Sequence, residues 1–148
     1  MTKVSILIAA RNEAHTILDC LQSVEALSYP KENLQILVGN DASEDDTEQL
    51  VQNFITEKPY FQLINVINRE NSINATLKGK ANVLAHLAQH ATGEYLFFTD
   101  ADIEVPKDWI QNMLLHFKKN VGIVTGITTM KTPIFPKIHP ISWPSCKR

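Results

Sequence analysis

Two aspartates separated by one residue, Asp100 and Asp102, close the apolar, strand-like run Tyr95–Thr99. A second polar strand end, Asn40-Asp41, lies earlier in the chain. Carboxylates at the C-terminal ends of neighbouring parallel strands converge on one crevice, which is where open α/β sheets bind ligands. Two carboxylates one residue apart can hold a divalent cation, and a hard cation with open coordination positions favours a phosphate. The spacing therefore predicts a nucleotide-diphosphate site.

The elements that must position these carboxylates follow from the hydrophobic pattern. Short apolar runs alternate with segments whose apolar residues recur at helical spacing. This order predicts an α/β fold, with a Rossmann-like, mainly parallel sheet and helices on both faces. The predicted strands span residues 4–9, 34–38, 61–67, 95–99 and 122–128.

Four helices are predicted, at about 14–27, 44–54, 79–92 and 106–117. Pro30 ends the first, because proline cannot continue a helix. Ser43 is the expected N-cap of the second helix, and Gly93 is the expected terminating glycine of the third. The third helix is expected to turn one set of small or aliphatic residues inward: Ala81, Leu84, Ala85, Ala88 and Ala91.

Length and charge limit the class of protein. The 148 residues suffice for one domain with a real core and hardly for two. The formal net charge of -2 gives no support to a general nucleic-acid binder, which usually shows a basic surplus. Cys20 and Cys146 have no CxxC partner, and we expect reduced thiols and neither a disulfide nor a zinc site.

The two ends of the chain differ from its middle. The apolar run 4–10 is too short to span a bilayer, and Arg11-Asn12-Glu13 stands where a signal peptide would be cleaved. We therefore expect no membrane span in this chain and a cytoplasmic location. A longer parent protein could also lie at the cytoplasmic face of a membrane. Four prolines crowd residues 131–148, which predicts an irregular tail after an α/β domain of residues 1–130.

Three segments occur in an informative order. The first is the opening strand with its Arg-Asn-Glu turn, at 4–13, and the second is Val-Gly-Asn-Asp-Ala-Ser-Glu-Asp-Asp-Thr, at 38–47. The third combines Gly-Lys-Ala at 79–81, Gly-Glu-Tyr at 93–95 and Thr-Asp-Ala-Asp at 99–102. Together they resemble the family-2 glycosyltransferases, inverting nucleotide-sugar enzymes, from residue 4 to about 128. The resemblance implies a GT-A fold, here a partial domain that is incomplete at its C-terminus.

The resemblance gives roles to three aspartates. Asp41 matches the family position that accepts a hydrogen bond from the nucleotide base, a role that suits an acceptor-only carboxylate. Asp102 matches the metal-binding position, where Mg²⁺ or Mn²⁺ fits an oxygen-ligand site, and Asp100 lies beside the sugar nucleotide in related proteins. The plain alternatives are an ordinary turn aspartate at Asp41 and a solvated acidic turn at Asp102.

Three further residues complete the expected donor site. Lys80 stands at a helix start, where backbone N–H groups and a cation suit a phosphate or a nucleobase edge; the alternative is a solvated surface lysine. Arg11 and Glu13 follow the first strand, and the resemblance puts them near the nucleotide, with a structural Arg–Glu pair as the alternative. The implied partners are a nucleotide-diphosphate sugar donor and a glycan or lipid acceptor.

The sequence also departs from the family pattern. Asn40 replaces the first Asp of the usual pair, Ala42 replaces the usual Gly, and Ala9 stands where Pro is common. Family members carry a catalytic base in an acidic motif well beyond the DxD-like turn, and residues 122–148 contain no Asp or Glu. We therefore expect this chain to bind the nucleotide-sugar donor but to lack the catalytic base. The alternatives are a truncated, inactive nucleotide-binding fragment and a sugar nucleotidyltransferase, although the latter should carry a glycine-rich loop after the first strand.

Overall fold

The computed structural model describes residues 1–66 and 78–129. Within them the strands are β1 (Val4–Ala10), β2 (Leu34–Asn40), β3 (Phe61–Asn65) and β4 (Tyr95–Asp100). The α-helices are α1 (Ile17–Glu25), α2 (Thr47–Ile55), α3 (Lys80–His90) and α4 (Trp109–Leu114). A 3₁₀ turn, Lys31–Asn33, leads into β2. None of the helices in these two ranges is long and apolar enough to cross a membrane.

The strands form one parallel sheet in the order β3-β2-β1-β4. The chain builds outward from β1 to β3 and then returns to the other side of β1 for β4. The strand order therefore reverses between β1 and β4, and such a reversal opens a crevice at the C-terminal edge of an α/β sheet. The register brings Ala9 opposite Asp100 and Ala10 opposite Asn40. The predicted α/β fold with a parallel sheet is confirmed.

Helices cover both faces of the sheet, as predicted. Helices α1, α2 and α4 build the larger core with one face, and its buried members include Ile6, Ile8, Ile17, Leu21, Ile36, Val38, Val51 and Ile110. Helix α3 covers the other face with a smaller cluster that includes Leu7, Leu37, Val83 and Leu87. Successive strand residues point to opposite faces. Strands β1 and β2 are therefore buried at almost every position.

Helix α3 lies very close to β2 because Gly39 has no side chain. A Cβ atom on Gly39 would lie 2.4 Å from Cγ1 of Val83 and 3.2 Å from both terminal methyl carbons of Leu87. This contact decides which face of α3 is buried. Of the five positions predicted to face inward, Leu84 and Ala91 pack against the smaller cluster, whereas the prediction is wrong for Ala81 and Ala88, which are exposed. Burying valine and leucine over the glycine removes more apolar area from water than burying alanine.

Gly93 does not terminate α3, so this prediction is also wrong. The helix ends at His90, and Ala91 already has an extended backbone (φ -71°, ψ 132°). Gly93 has no left-handed backbone, and a Cβ atom there would lie 2.4 Å from the backbone nitrogen of Ser5. Its N–H donates to the Ser5 hydroxyl at 2.9 Å. The glycine therefore permits a close crossing of the α3–β4 loop over the start of β1.

The predicted fifth strand, 122–128, is not a strand. Ile123 and Ile127 are 82% and 95% exposed, and no strand of the described ranges pairs with this segment. Strand β3 ends at Asn65, short of the predicted end at residue 67. The other predictions outside the described residues concern the loop 68–76, the tail 131–148 and Cys146.

Candidate functional site at the C-terminal edge of the sheet

Several residues predicted to form the site gather at the C-terminal edge of the sheet, on either side of β1. Asp41 directly follows β2, and Asp100 is the last residue of β4. Because β2 and β4 are both hydrogen-bonded to β1, their ends are two strand spacings apart, about 10 Å. The topology therefore brings the two acidic segments to one crevice, at the reversal of strand order.

Arg11 and Asp41 form an ion pair at one side of this crevice. Nη1 of Arg11 lies 3.6 Å from Oδ2 of Asp41, and the two side chains are 46% and 11% exposed. The N–H of Asp41 donates to the carbonyl oxygen of Ala10 at 2.9 Å, which ties the loop after β2 to the end of β1. The pair therefore presents a half-exposed guanidinium beside a nearly buried acceptor.

The Asp100-Ala101-Asp102 turn divides its side chains between the core and the crevice. Ala101 is 2% exposed and belongs to the larger core, whereas both aspartates are exposed. Nζ of Lys80 forms an ion pair with Oδ1 of Asp100, and these side chains are 51% and 55% exposed. Lys80 is the first residue of α3 and follows Gly79, whose backbone is left-handed (φ 56°). The turn and the start of α3 thus form the other side of the crevice.

Cys20 lies beneath this turn, inside α1. It is 1% exposed, and its Sγ donates to the backbone carbonyl oxygen of Asp100 at 3.4 Å. Burial, followed by the negative charges of Asp102, Asp100 and Glu13, raises the pKa of the Cys20 thiol to about 12. The thiol is free, as predicted, and it stays protonated as a neutral donor under the turn.

The carboxylates of the turn fit a hard divalent cation if other oxygen ligands complete its shell. Residues 1–66 and 78–129 contain no group of three or more His, Cys, Asp or Glu that could hold a metal ion. Asp100 and Asp102 offer carboxylate oxygens at an exposed position, and Mg²⁺ usually binds through one or two carboxylates together with phosphate oxygens and water. This donor set suits a cation shared with a diphosphate and not one held by protein alone.

Glu13 directs its carboxylate to the start of α1. Its Oε2 accepts a hydrogen bond from the Thr16 hydroxyl at 3.0 Å, and its carbonyl oxygen accepts the N–H of Ile17 at 2.9 Å. Its own N–H donates to Oγ1 of Thr47 at 2.8 Å. In this structure Glu13 therefore connects the loop after β1 to the first turns of α1 and α2.

Hydrogen bonds between the loops after β1 and β2 were missed from the sequence. The N–H of Asn12 donates to Oγ of Ser43 at 3.1 Å, and Oδ1 of Asn12 accepts the N–H of Glu44 at 2.8 Å. The prediction of Ser43 as an N-cap is wrong for this reason: α2 begins at Thr47, whose N–H donates to Oδ1 of Asp45 at 3.0 Å. The Ser-x-Asp-x-Thr spacing was an available signal, because short polar side chains compete for nearby backbone groups.

Asn40 organises a second network that the sequence did not indicate. Its Nδ2 donates to Oε2 of Glu48 at 3.2 Å and to Oδ1 of Asn65 at 3.0 Å. Its Oδ1 accepts the N–H of Ser43 at 3.1 Å, and Asn65 also donates to Glu48, at 2.8 Å. An aspartate has no N–H to give to Glu48. The amide at position 40 therefore suits the carboxylate on α2.

The family assignment rests on nearly the whole chain, since residues 5–145 match the profile described as glycosyl transferase family 2. The chain belongs to glycosyl transferase family 2. The poly-beta-1,6-N-acetyl-D-glucosamine synthase of Staphylococcus epidermidis is 34% identical to this family-2 domain over 146 residues, which cover 96% of the chain and 33% of that protein. The synthase of the same name from Staphylococcus aureus (strain COL) gives the same identity and coverage. The domain thus spans 33% of the length of each of these two relatives.

Solved glycosyltransferase structures share the fold of the family-2 domain. The mannosyltransferase PcManGT from Pyrobaculum calidifontis, in complex with GDP-Man and Mn2+, matches with a TM-score of 0.67 at 28% identity, over 76% of this chain and 31% of that one. S. aureus TarS in complex with UDP-GlcNAc matches with a TM-score of 0.62 at 25% identity, over 76% and 30%. The expected GT-A type of α/β fold is confirmed.

Proposed function

We propose that this family-2 domain binds a nucleotide-diphosphate sugar at the C-terminal edge of its sheet, together with Mg²⁺ or Mn²⁺. The observation that carries the proposal is the position of Asp41 and Asp100-Ala101-Asp102 on opposite sides of the end of β1, where the strand order reverses. Two acidic segments with one strand between them suit an extended ligand that has a base at one end and a metal-bound diphosphate at the other.

The base side of the proposed site is built by the loops after β1 and β2. Asp41 accepts a hydrogen bond from a base N–H, because an ionised carboxylate is acceptor-only and strengthens such bonds. Arg11 is half-exposed beside it, so its guanidinium can stack on the base. Glu13 keeps this loop against Thr47 and so lies near the nucleotide.

The phosphate side is built by α3 and the turn after β4. Lys80 adds its charge to the positive end of the α3 dipole, which favours an anion. Its ion pair with Asp100 is exposed on both sides, so a phosphate can compete for Lys80 at small cost. Asp102 would hold the cation, which supplies Lewis-acid neutralisation of the leaving nucleotide when bound. Asp100 would lie beside the sugar nucleotide.

The parent reaction would transfer the sugar to a hydroxyl of a glycan or lipid acceptor with inversion. Such a transfer needs a base for the hydroxyl proton. The last carboxylate side chain in the sequence is that of Asp108, the residue before α4, and its Oδ2 accepts a hydrogen bond from Asn112 at 2.7 Å. We therefore propose donor binding, without a complete transfer reaction, as the activity of the 148 residues.

The relatives suggest which donor to test first. TarS forms a complex with UDP-GlcNAc, and PcManGT forms one with GDP-Man and Mn2+. The staphylococcal relatives are named as synthases of an N-acetylglucosamine polymer. UDP-GlcNAc with Mn²⁺ is therefore the first ligand to test, and GDP-mannose is the second.

Isothermal titration calorimetry of the 148-residue chain with UDP-GlcNAc tests the proposal. We expect binding with Mn²⁺ that weakens by about tenfold or more in EDTA, or about 1.4 kcal/mol. Asp102→Asn should weaken binding in Mn²⁺ by a similar factor. Glu57→Gln is the matched control, because Glu57 is an exposed carboxylate beyond the end of α2. Equal binding in Mn²⁺ and EDTA would contradict the metal-bridged site.

A further inference from the structure

Four hydrogen bonds join the loop after β1 to the loop after β2. Each pairs a main-chain N–H with a side-chain oxygen from the opposite loop or the first residue of α2. They are Asn12 N–H with Ser43 Oγ (3.1 Å), Glu44 N–H with Asn12 Oδ1 (2.8 Å), Glu13 N–H with Thr47 Oγ1 (2.8 Å) and Ala14 N–H with Asp45 Oδ2 (3.1 Å). We call this set the cross-loop clamp.

Asn12 contributes to the cross-loop clamp through both its backbone and its side chain. Its backbone is left-handed, with φ 56°, and Ala42 on the opposite loop is left-handed as well, with φ 49°. This conformation is unfavourable for residues other than glycine, although asparagine tolerates it better than alanine does. Ala42 has no side-chain group to compensate, so the surrounding hydrogen bonds must hold its conformation.

The cross-loop clamp lies next to the two residues of the base side. Arg11 directly precedes Asn12, and Asp41 directly precedes Ala42. The 3.6 Å approach of Arg11 and Asp41 therefore depends on the relative position of the two loops. Oδ1 of Asn12 already accepts the backbone N–H of Glu44. This use of the oxygen favours a positioning role over direct contact with a ligand.

We infer that Asn12 is a positioning residue for nucleotide binding, which holds Arg11 and Asp41 at the spacing that receives the base. The inference rests on the proposed function, because it names what the pair Arg11–Asp41 is positioned for. Asn12 acts through the cross-loop clamp, so its removal should affect recognition of the base and leave the phosphate side of the crevice intact.

Asn12→Gly tests the role, because glycine tolerates the left-handed backbone and removes the Oδ1 acceptor. We expect this variant to bind UDP in Mn²⁺ about tenfold more weakly than the wild-type chain. Asn120→Gly is the matched control, because Asn120 is also left-handed (φ 71°) and exposed, and it should bind within about twofold of wild type. Ser43→Ala removes another clamp acceptor and should weaken UDP binding, whereas Ser43→Thr keeps the hydroxyl.

Two measurements separate positioning from a general loss of structure. Inorganic pyrophosphate lacks the base, so Asn12→Gly should bind it in Mn²⁺ within about twofold of the wild-type affinity. Because the clamp acts through Arg11 and Asp41, adding Asn12→Gly to the double variant Arg11→Met/Asp41→Asn should weaken UDP binding no further.

The outcomes distinguish this inference from the proposed function. Equal losses for UDP and pyrophosphate, or a further loss of UDP binding when Asn12→Gly is added to Arg11→Met/Asp41→Asn, would overturn the positioning role. Unchanged UDP binding by both Asn12→Gly and Ser43→Ala would overturn it too. If the wild-type chain bound neither UDP nor UDP-GlcNAc, the proposed function itself would fail, and the positioning role would fail with it. Should Asn12→Gly not fold, Ser43→Ala and Ser43→Thr provide the same comparison.

Discussion

The Sγ atom of Cys20 lies 3.4 Å from the backbone carbonyl oxygen of Asp100, directly under the proposed metal-binding turn. The same carbonyl accepts the N–H of Ile103 at 3.3 Å. The turn is therefore held both by its own backbone and by a side chain of α1. A neutral thiol donor gives this support without adding charge to a crevice that already contains the carboxylates of Asp41, Asp100 and Asp102.

Cys20 should resist alkylation in the folded protein. The thiolate is the reactive species, the side chain is 1% exposed, and burial is the main cause of a pKa of about 12. In a Cys146→Ser background, iodoacetamide at about pH 8 should label Cys20 only after unfolding in urea, as followed by mass spectrometry. Complete labelling of the native protein within minutes would show that α1 does not bury this residue.

Gly93→Ala should destabilise the fold by about 3 kcal/mol, the upper end of the usual cost of overpacking. The new methyl group would meet backbone atoms of Val4 and Ser5 at 2.6 and 2.4 Å, and backbone cannot move aside as a flexible side chain can. Gly122→Ala is the control, since nothing lies within 4 Å of a Cβ atom there. Urea unfolding measures both variants; equal midpoints would argue against the close crossing at Ser5.

Asp45 should contribute a stabilising effect that acid removes. Hydrogen bonds from Thr47, its side chain first, lower the pKa of Asp45 below its ordinary value. The ionised form therefore stabilises the fold above the unfolded-chain pKa of about 3.9, and this contribution is lost as the pH falls through the lower folded pKa.

The expected result is that Asp45→Asn lowers the free energy of unfolding more at about pH 7 than at about pH 2.5, measured by urea denaturation. Asp46→Asn is the comparison, because the side chain of Asp46 makes no capping hydrogen bond. If Asp45→Asn lowered the free energy of unfolding equally at both pH values, the negative charge of Asp45 would not be the source of its stabilising effect.

Lys80→Met should weaken the binding of UDP-GlcNAc in Mn²⁺ by about tenfold. The remaining binding should depend more strongly on Mn²⁺, because Lys80 no longer supplies a positive charge. The variant should keep a melting temperature within about 2 °C of wild type, because an exposed ion pair contributes little to stability. Lys3→Met removes the same charge before β1, at the opposite edge of the sheet. If both variants bound the donor equally well, Lys80 would be an ordinary surface lysine.

The alternation of apolar runs was enough to predict the parallel sheet and the helices on both faces. That inference needs only local sequence, because strands buried on both faces are mostly apolar along their length, as Val4–Ala10 and Leu34–Asn40 are. The segment 122–128 has the same apolar character, and yet it forms no strand, because strand formation also requires a hydrogen-bonded neighbour. The buried face of α3 escaped prediction for a related reason, since it is set by Gly39 on another element.

The sequence by itself determined that acidic residues follow β2 and β4, because the order of apolar and polar residues fixes where strands end. Only the tertiary structure decided that Arg11 approaches Asp41, that Lys80 approaches Asp100, and that Asn12 joins the loops. These contacts bridge residues 20 to 31 positions apart. Their geometry depends on strand order and on left-handed turns, which no local pattern of hydrophobicity records.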